Sequence, residues 1–214
     1  MPEKMTFRQW LDNYWYHYKT VTLVVGFILM VIIICTVQLF NKVEPDVHLM
    51  YAGYDLISKT EIEEMETTVF SLIDDYNGDG QLAMNFISLQ LAPTEMYASN
   101  EALNAAKHAE TMERFQLEIA AGDSIILLVD GFLYNILRET NKVVPFEDTL
   151  GYVPDNAYDD CAIRLKDLNV SQTDGFNALP GSTLICIRNV PSKSTYNDNL
   201  KLYQAMIEYG AKKQ

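Results

Sequence analysis

The sequence predicts a membrane-anchored α/β protein, and three observations carry that reading. Val21 to Phe40 is a predominantly apolar run of twenty residues without a charge. The chain after it alternates strand-like and helix-like patterns in the order β-α-β-α-β-α. Ser124–Asp130, SIILLVD, is a continuous apolar run ending in an acid, as in a strand buried on both faces. The expected fold is an N-terminal transmembrane helix followed by a three-layer domain with a mostly parallel sheet.

The anchor comes first. VTLVVGFILMVIIICTVQLF is twenty residues without a charge, set between Lys19 and Lys42. At about 1.5 Å per residue such a helix spans roughly 30 Å, the thickness of the hydrocarbon core. Its length and uniformity disfavour the core helix of a soluble domain. Trp10, Tyr14, Trp15, Tyr16 and Tyr18 precede it, where amphipathic rings favour the membrane interface. No small-x-small cleavage site follows, since the next residues are Asn41-Lys42-Val43-Glu44-Pro45. Ile32–Ile34 precede Cys35 where a lipoprotein cysteine would need a small neighbour. An uncleaved signal anchor fits best, partnered by the lipid bilayer.

Charge orients it. Residues 1–43 hold Lys4, Arg8, Lys19 and Lys42 against Glu3 and Asp12, so the rest of the chain is more acidic than the net charge of −13. The expected organisation is a cytoplasmic tail (1–19), a transmembrane helix (20–41) and an extracytoplasmic domain (42–214) at the cell membrane. The acidity argues against nucleic acid as a partner, which would need a basic face.

The elements of the domain follow in order. Asp46–Tyr51 reads as a strand just beyond Pro45. Ser58-Lys59-Thr60-Glu61 is a capping box, and Ile62, Met65, Val69, Leu72 and Ile73 at helical spacing extend a helix towards Tyr76. Leu82–Ala92 reads as a second strand, 100–121 as a long helix stopped by Gly122-Asp123, and Ser124–Asp130 as a third strand. The first strand is expected between the other two. A helix over Phe132–Glu139 is followed by a stretch rich in Pro, Gly, Asp and Asn, with one short strand candidate at Ala162–Leu168. Thr183–Val190 and Asn197–Tyr209 close the chain as a strand and a helix. Of the three cysteines, Cys35 belongs to the anchor. Cys161 and Cys186 are open to a disulfide or to buried free thiols.

At FQLEIAAGDSIILLVDGFLYNIL, followed by NKVVPFEDTL, the chain resembles bacterial extracellular solute-binding proteins of the sugar-binding type. The resemblance rests on Ala121, Gly122, Asp123, Ile125, Ile126 and Asp130, then on Val144, Pro145, Phe146 and Asp148; Ser124 stands where that family has Pro-Asp. It implies an α/β lobe of the periplasmic-binding-protein kind. Such proteins close two lobes around a ligand, and about 170 residues make one lobe. The arrangement of aromatic-rich tail, anchor, MYAG strand, DDYNGDG loop and YNDNLKLYQAMIEY helix also resembles uncharacterised single-pass membrane proteins of Gram-positive bacteria.

Chemistry is harder to place. Gly122-Asp123-Ser124 is similar to the Gly-Asp-Ser block of one hydrolase class, but Ser124 opens the third strand, not the segment after the first, and reads as a helix-stop turn. G-x-S-x-G, P-loop, G-x-G-x-x-G and H-E-x-x-H patterns are absent from the sequence. The expectation is therefore not an enzyme. Two function classes remain. One is a tethered extracytoplasmic interaction or ligand-sensing module, with a pocket near Gly53-Tyr54, Pro93-Thr94 and Asp130-Gly131 at the carboxyl ends of the strands. The alternative is a structural or accessory subunit of a cell-envelope complex, showing an apolar patch to an envelope protein partner.

One loop has two readings. Asp75-x-Asn77-x-Asp79-Gly80 fills the opening positions of a calcium loop, with Asp75, Asn77 and Asp79 as side-chain ligands and Gln81 offering its carbonyl. Calcium is accordingly the one cofactor the sequence suggests. Position twelve, which should bring a bidentate carboxylate, is Phe86. The same letters suit a tight turn, because Asn-Gly and Asp-Gly accept positive φ. The turn is the favoured reading.

Overall fold

The computed structural model describes residues 6–40, 43–91 and 101–210. Ala92, Pro93, Thr94 and Asn100, on which some of the expectations fall, lie outside the described residues. The chain divides into two compact units, Met1–Val43 and Glu44–Gln214.

Among its described residues, the first unit holds one helix, α1 (Phe7–Phe40, 34 residues). By length and composition it can cross a membrane. It starts well before the apolar run, so most of the expected tail is helical. The cause is local: aromatic side chains three and four residues apart stack on one another along its first turns.

The second unit is α/β in three layers. A five-stranded sheet has the order β2-β1-β3-β5-β4. Its strands are β1 (Val47–Gly53), β2 (Met84–Gln90), β3 (Ile126–Val129), β4 (Ile163–Arg164) and β5 (Leu184–Ile187). As expected, β1 lies between β2 and β3, parallel to both. All seven of its residues are buried. Alternation along it feeds two cores. Val47, Leu49 and Tyr51 meet α2 (Lys59–Phe70) and α6 (Tyr196–Ile207) through Met65, Val69, Leu202, Tyr203 and Met206. Met50 and Ala52 meet α3 (Glu101–Ala121) and α4 (Gly131–Glu139) through Phe115, Ile119, Leu133, Tyr134 and Leu137.

The sheet is mixed, which corrects the mostly parallel expectation. β5 runs antiparallel to β3, and β4 antiparallel to β5. The reason lies in the segment after α4. That helix brings the chain back to the end of the sheet where a parallel strand would begin, but Val143 makes only an isolated bridge to Arg188. Pro145, without an N–H, then caps the short α5 (Phe146–Thr149). The chain climbs through irregular structure and 3-10 turns, and Thr183 accepts from Leu165 N–H at 2.8 Å at the far end. The following strand can only descend. The expected strand over Ala162–Leu168 shrinks to the two residues of β4 for the same reason.

The second helix also ends early, at Phe70 and not near Tyr76. Ser58 supplies both halves of the capping box with Glu61, at 2.6 and 3.3 Å. At the other end the Ser71 hydroxyl turns back to the Thr68 carbonyl at 2.6 Å, and the N–H groups of Tyr76 and Asn77 go to Asp46. Leu72 and Ile73 still pack on the core, but from beyond the helix.

Candidate functional site

The connections leaving β1 and β3 separate at the carboxyl ends of these strands, α2 lying on one face of the sheet and α4 on the other. Such a divergence opens a crevice where ligands of open α/β sheets bind. Two of the three expected corners meet there: the Asp130 N–H donates to the Ala52 carbonyl at 3.1 Å, next to Gly53. The third corner, Pro93-Thr94, lies outside the described residues.

Tyr51 shapes the floor. Its ring folds across Gly53, where a Cβ would stand 2.3 Å from the phenol oxygen and would force the ring to shift. The Asp55 N–H donates to that oxygen at 3.3 Å. Burial pushes the Tyr51 phenol up to about 12, and the negative fields of Asp55 and Asp130 add to this. It therefore stays a protonated donor across the physiological range. Asp130 Oδ1 accepts from Leu133 N–H at 2.9 Å and so caps α4. Burial and Asp130 also raise the Tyr54 phenol. Next to these residues in the chain, three large side chains face solvent: Leu56 (73% exposed), Phe132 (52%) and Tyr54 (41%). Hydrogen-bond donors, two carboxylates and exposed apolar side chains next to them in the chain make a composition suited to binding.

A cavity of about 340 Å³ lies elsewhere, between α2 and the 3-10 region, lined by Glu64, Thr67, Thr68, Gln172, Thr173 and Asp174. Its hydroxyls are already committed. Thr67 donates to Glu63 O at 3.0 Å, Thr68 to Asp174 O at 3.3 Å and Thr173 to Val170 O at 2.7 Å. Its hydroxyls close on neighbouring carbonyls and do not converge on a ligand, so the residues at the strand ends are the candidate site.

Three other polar clusters bear on the expectations. In the Asp75 loop, Asp75 accepts the N–H groups of Gly78 and Gly80 at 2.6 and 2.8 Å, one on each oxygen. Asn77 accepts from Asp79 and Asp79 from Gln81, both at 2.8 Å. The loop thus gathers Asp75, Asn77, Asp79 and Gln81 in a self-bonded chain of turns, with Gly78 and Gly80 at positive φ.

At the amino end of β3, the hydroxyl of fully buried Ser124 donates to Glu118 Oε1 at 2.8 Å, the role of a helix-stop turn. Arg188, also buried, donates to the carbonyls of Gly122 and Ser124 at 3.0 and 3.1 Å and to that of Ile119. It places a cation on the carbonyl end of α3. Sequence reading missed it. The only signal was a charge continuing directly from the apolar run LICI.

Asp159, Asp160 and Cys161 bring their ligand-type atoms within 4.8 Å of one another, but Arg138 pairs with both carboxylates. Asp159 further accepts the Tyr134 hydroxyl at 2.6 Å and the N–H groups of Cys161 and Ala162 at 2.9 and 3.0 Å. It organises a turn. Cys161 and Cys186 are both buried free thiols.

No protein-family model, curated protein or solved structure matches the chain. The functional reading therefore rests on residues and geometry.

Proposed function

We propose that this protein is a membrane-tethered interaction or ligand-sensing module. Its acidic α/β domain lies outside the cytoplasm and engages a small ligand or an envelope protein at the carboxyl ends of β1 and β3. The observation that carries the reading is the set of exposed side chains Tyr54, Leu56 and Phe132 next in the chain to Tyr51, Asp55 and Asp130. The resemblance to one lobe of sugar-binding solute receptors agrees with a ligand at this end of a sheet. The N-terminus is cytoplasmic in this proposal, because the basic residues precede the span. The Asp75–Gln81 loop is proposed as a structural turn, since both Asp75 oxygens already accept backbone N–H groups. A calcium site is its alternative.

Exposed Leu56 and Phe132 also suit an accessory subunit that buries them against a partner and binds no small molecule. One experiment separates the readings. Full-length protein is crosslinked in its native membranes, and captured proteins are identified for the wild type, Phe132→Asp and Tyr51→Phe. A ligand module loses its complex or ligand response with Tyr51→Phe as well as with Phe132→Asp. An accessory subunit loses its partner with Phe132→Asp alone. If neither substitution changes what is captured, the strand-end site is wrong.

A further inference from the structure

The Asp75 loop holds a chemistry that a turn does not need. Asn77-Gly78 is the single Asn-Gly pair in the chain, and both residues are exposed. Asparagine before glycine is the dipeptide most prone to deamidation, because glycine has no side chain to keep its nitrogen away from the asparagine amide. In that reaction the Gly78 nitrogen gives its proton to hydroxide and bonds to Asn77 Cγ. The Cγ–Nδ2 bond breaks, and Nδ2 leaves as ammonia with a proton taken from water. Water then opens the cyclic imide at either carbonyl, leaving aspartate or isoaspartate.

The fold ties down each atom that has to react. The proton that must leave is the one Gly78 N–H donates to Asp75 Oδ1 at 2.6 Å. A carboxylate is far too weak a base to take it, and its negative charge disfavours a nitrogen anion beside it. The second Asp75 oxygen accepts from Gly80 N–H at 2.8 Å, which fixes the carboxylate in place. Asn77 Oδ1 accepts from Asp79 N–H at 2.8 Å, and Nδ2 donates to the Glu44 carbonyl at 2.6 Å. Held at both of its polar atoms, the side-chain amide can neither rotate nor release Nδ2 without breaking a bond.

We propose that Asn77 is a latent modification site: the native loop suppresses its deamidation through Asp75, and loss of the Asp75 bonds lets the reaction run. Either product lacks the Nδ2 donor, so the tie from the loop to Glu44 at the start of the domain is lost for good. Isoaspartate also adds a methylene to the main chain directly after the N–H that Asp46 holds. The modification is a one-way record that the loop has opened. It does not depend on what binds at the strand ends.

Ageing of the full chain in detergent tests this. The protein is held at mildly alkaline pH with a calcium chelator, so that the outcome does not turn on whether the loop takes that ion. Aspartate and isoaspartate at position 77 are followed by mass spectrometry of the loop peptide. Native wild type should convert at least about tenfold more slowly than the same chain in denaturant. Asp75→Ala should recover most of the denatured rate while circular dichroism shows it folded. Asp75→Asn keeps one acceptor oxygen and removes the charge, so its rate should fall between the two; it decides the matter where Asp75→Ala does not fold. Native wild type converting as fast as the denatured chain overturns the proposal. So do folded Asp75 variants that convert no faster than wild type.

Discussion

Asp46 and Ala83 hold each other from both sides: the Asp46 N–H donates to the Ala83 carbonyl at 2.9 Å, and the Ala83 N–H donates to Asp46 Oδ2 at 3.0 Å. The other Asp46 oxygen accepts from Tyr76 and Asn77 at 3.0 and 3.2 Å. One buried carboxylate thus closes both ends of the Tyr76–Ala83 loop onto the start of β1. Asp46→Ala removes three charge-assisted bonds and leaves their donors short of partners, for a cost of about 3 kcal/mol or more. Urea unfolding of residues 44–214 would measure it. A loss below about 1 kcal/mol would show that the clamp is incidental.

The same loop decides its own chemistry. As a structural turn, it should give no saturable heat on calorimetric titration with calcium, and Asp75→Ala should lower stability equally with and without the ion. A saturable site near millimolar, abolished by both Asp75→Ala and Asp79→Ala, would establish the calcium loop in its place.

A further prediction concerns His48. Burial first of all holds its imidazole below the usual 6.5, with Lys193 also lowering it and Asp123 and Glu118 opposing. The folded state therefore binds the proton less readily than the unfolded chain. The associated stability is complete above pH 6.5 and is lost as pH falls from there towards the lower folded value. The unfolding midpoint should drop between pH 7.5 and 5.5, and His48→Gln should flatten that drop. Carboxylates titrate mostly below this window. An identical slope in the variant would clear His48.

Thiol chemistry gives the last test. Burial raises the Cys161 thiol to about 11 and drives Cys186 higher still. In residues 44–214, neither should react with a thiol reagent at pH 8 until denaturant is added, when two equivalents should appear. Intact mass showing a two-hydrogen deficit would mean a disulfide instead.

Local signals in the sequence located most elements, and long-range ones did not. Ser58 and Glu61 announce the start of α2 because both halves of a capping box lie within four residues. Hydrophobic continuity marks β3 and β5 equally well, yet SIILLVD and TLICIRNV look alike although one runs antiparallel to the other. Direction depends on how the 141–183 segment travels, which has no local periodicity. Leu72 and Ile73 keep the helical rhythm past Phe70, so the end of α2 was misread. Gly53 and Asp130 were legible as strand ends. Tyr51 folding over Gly53 and Arg188 capping α3 from 69 residues away were not.

The clamp at Asp46 has a mechanical consequence. If α1 is the membrane tether proposed above, it joins the domain at the amino end of β1, and the proposed binding site lies at the carboxyl end of that same strand. Tension between a held ligand and the membrane would run along the length of β1. It would load the hydrogen bonds to β2 and β3 in shear, all together, where peeling from an edge would break them one at a time. A domain attached in this way would resist pulling through the pairing of β1 with both of its neighbours before its periphery unfolded.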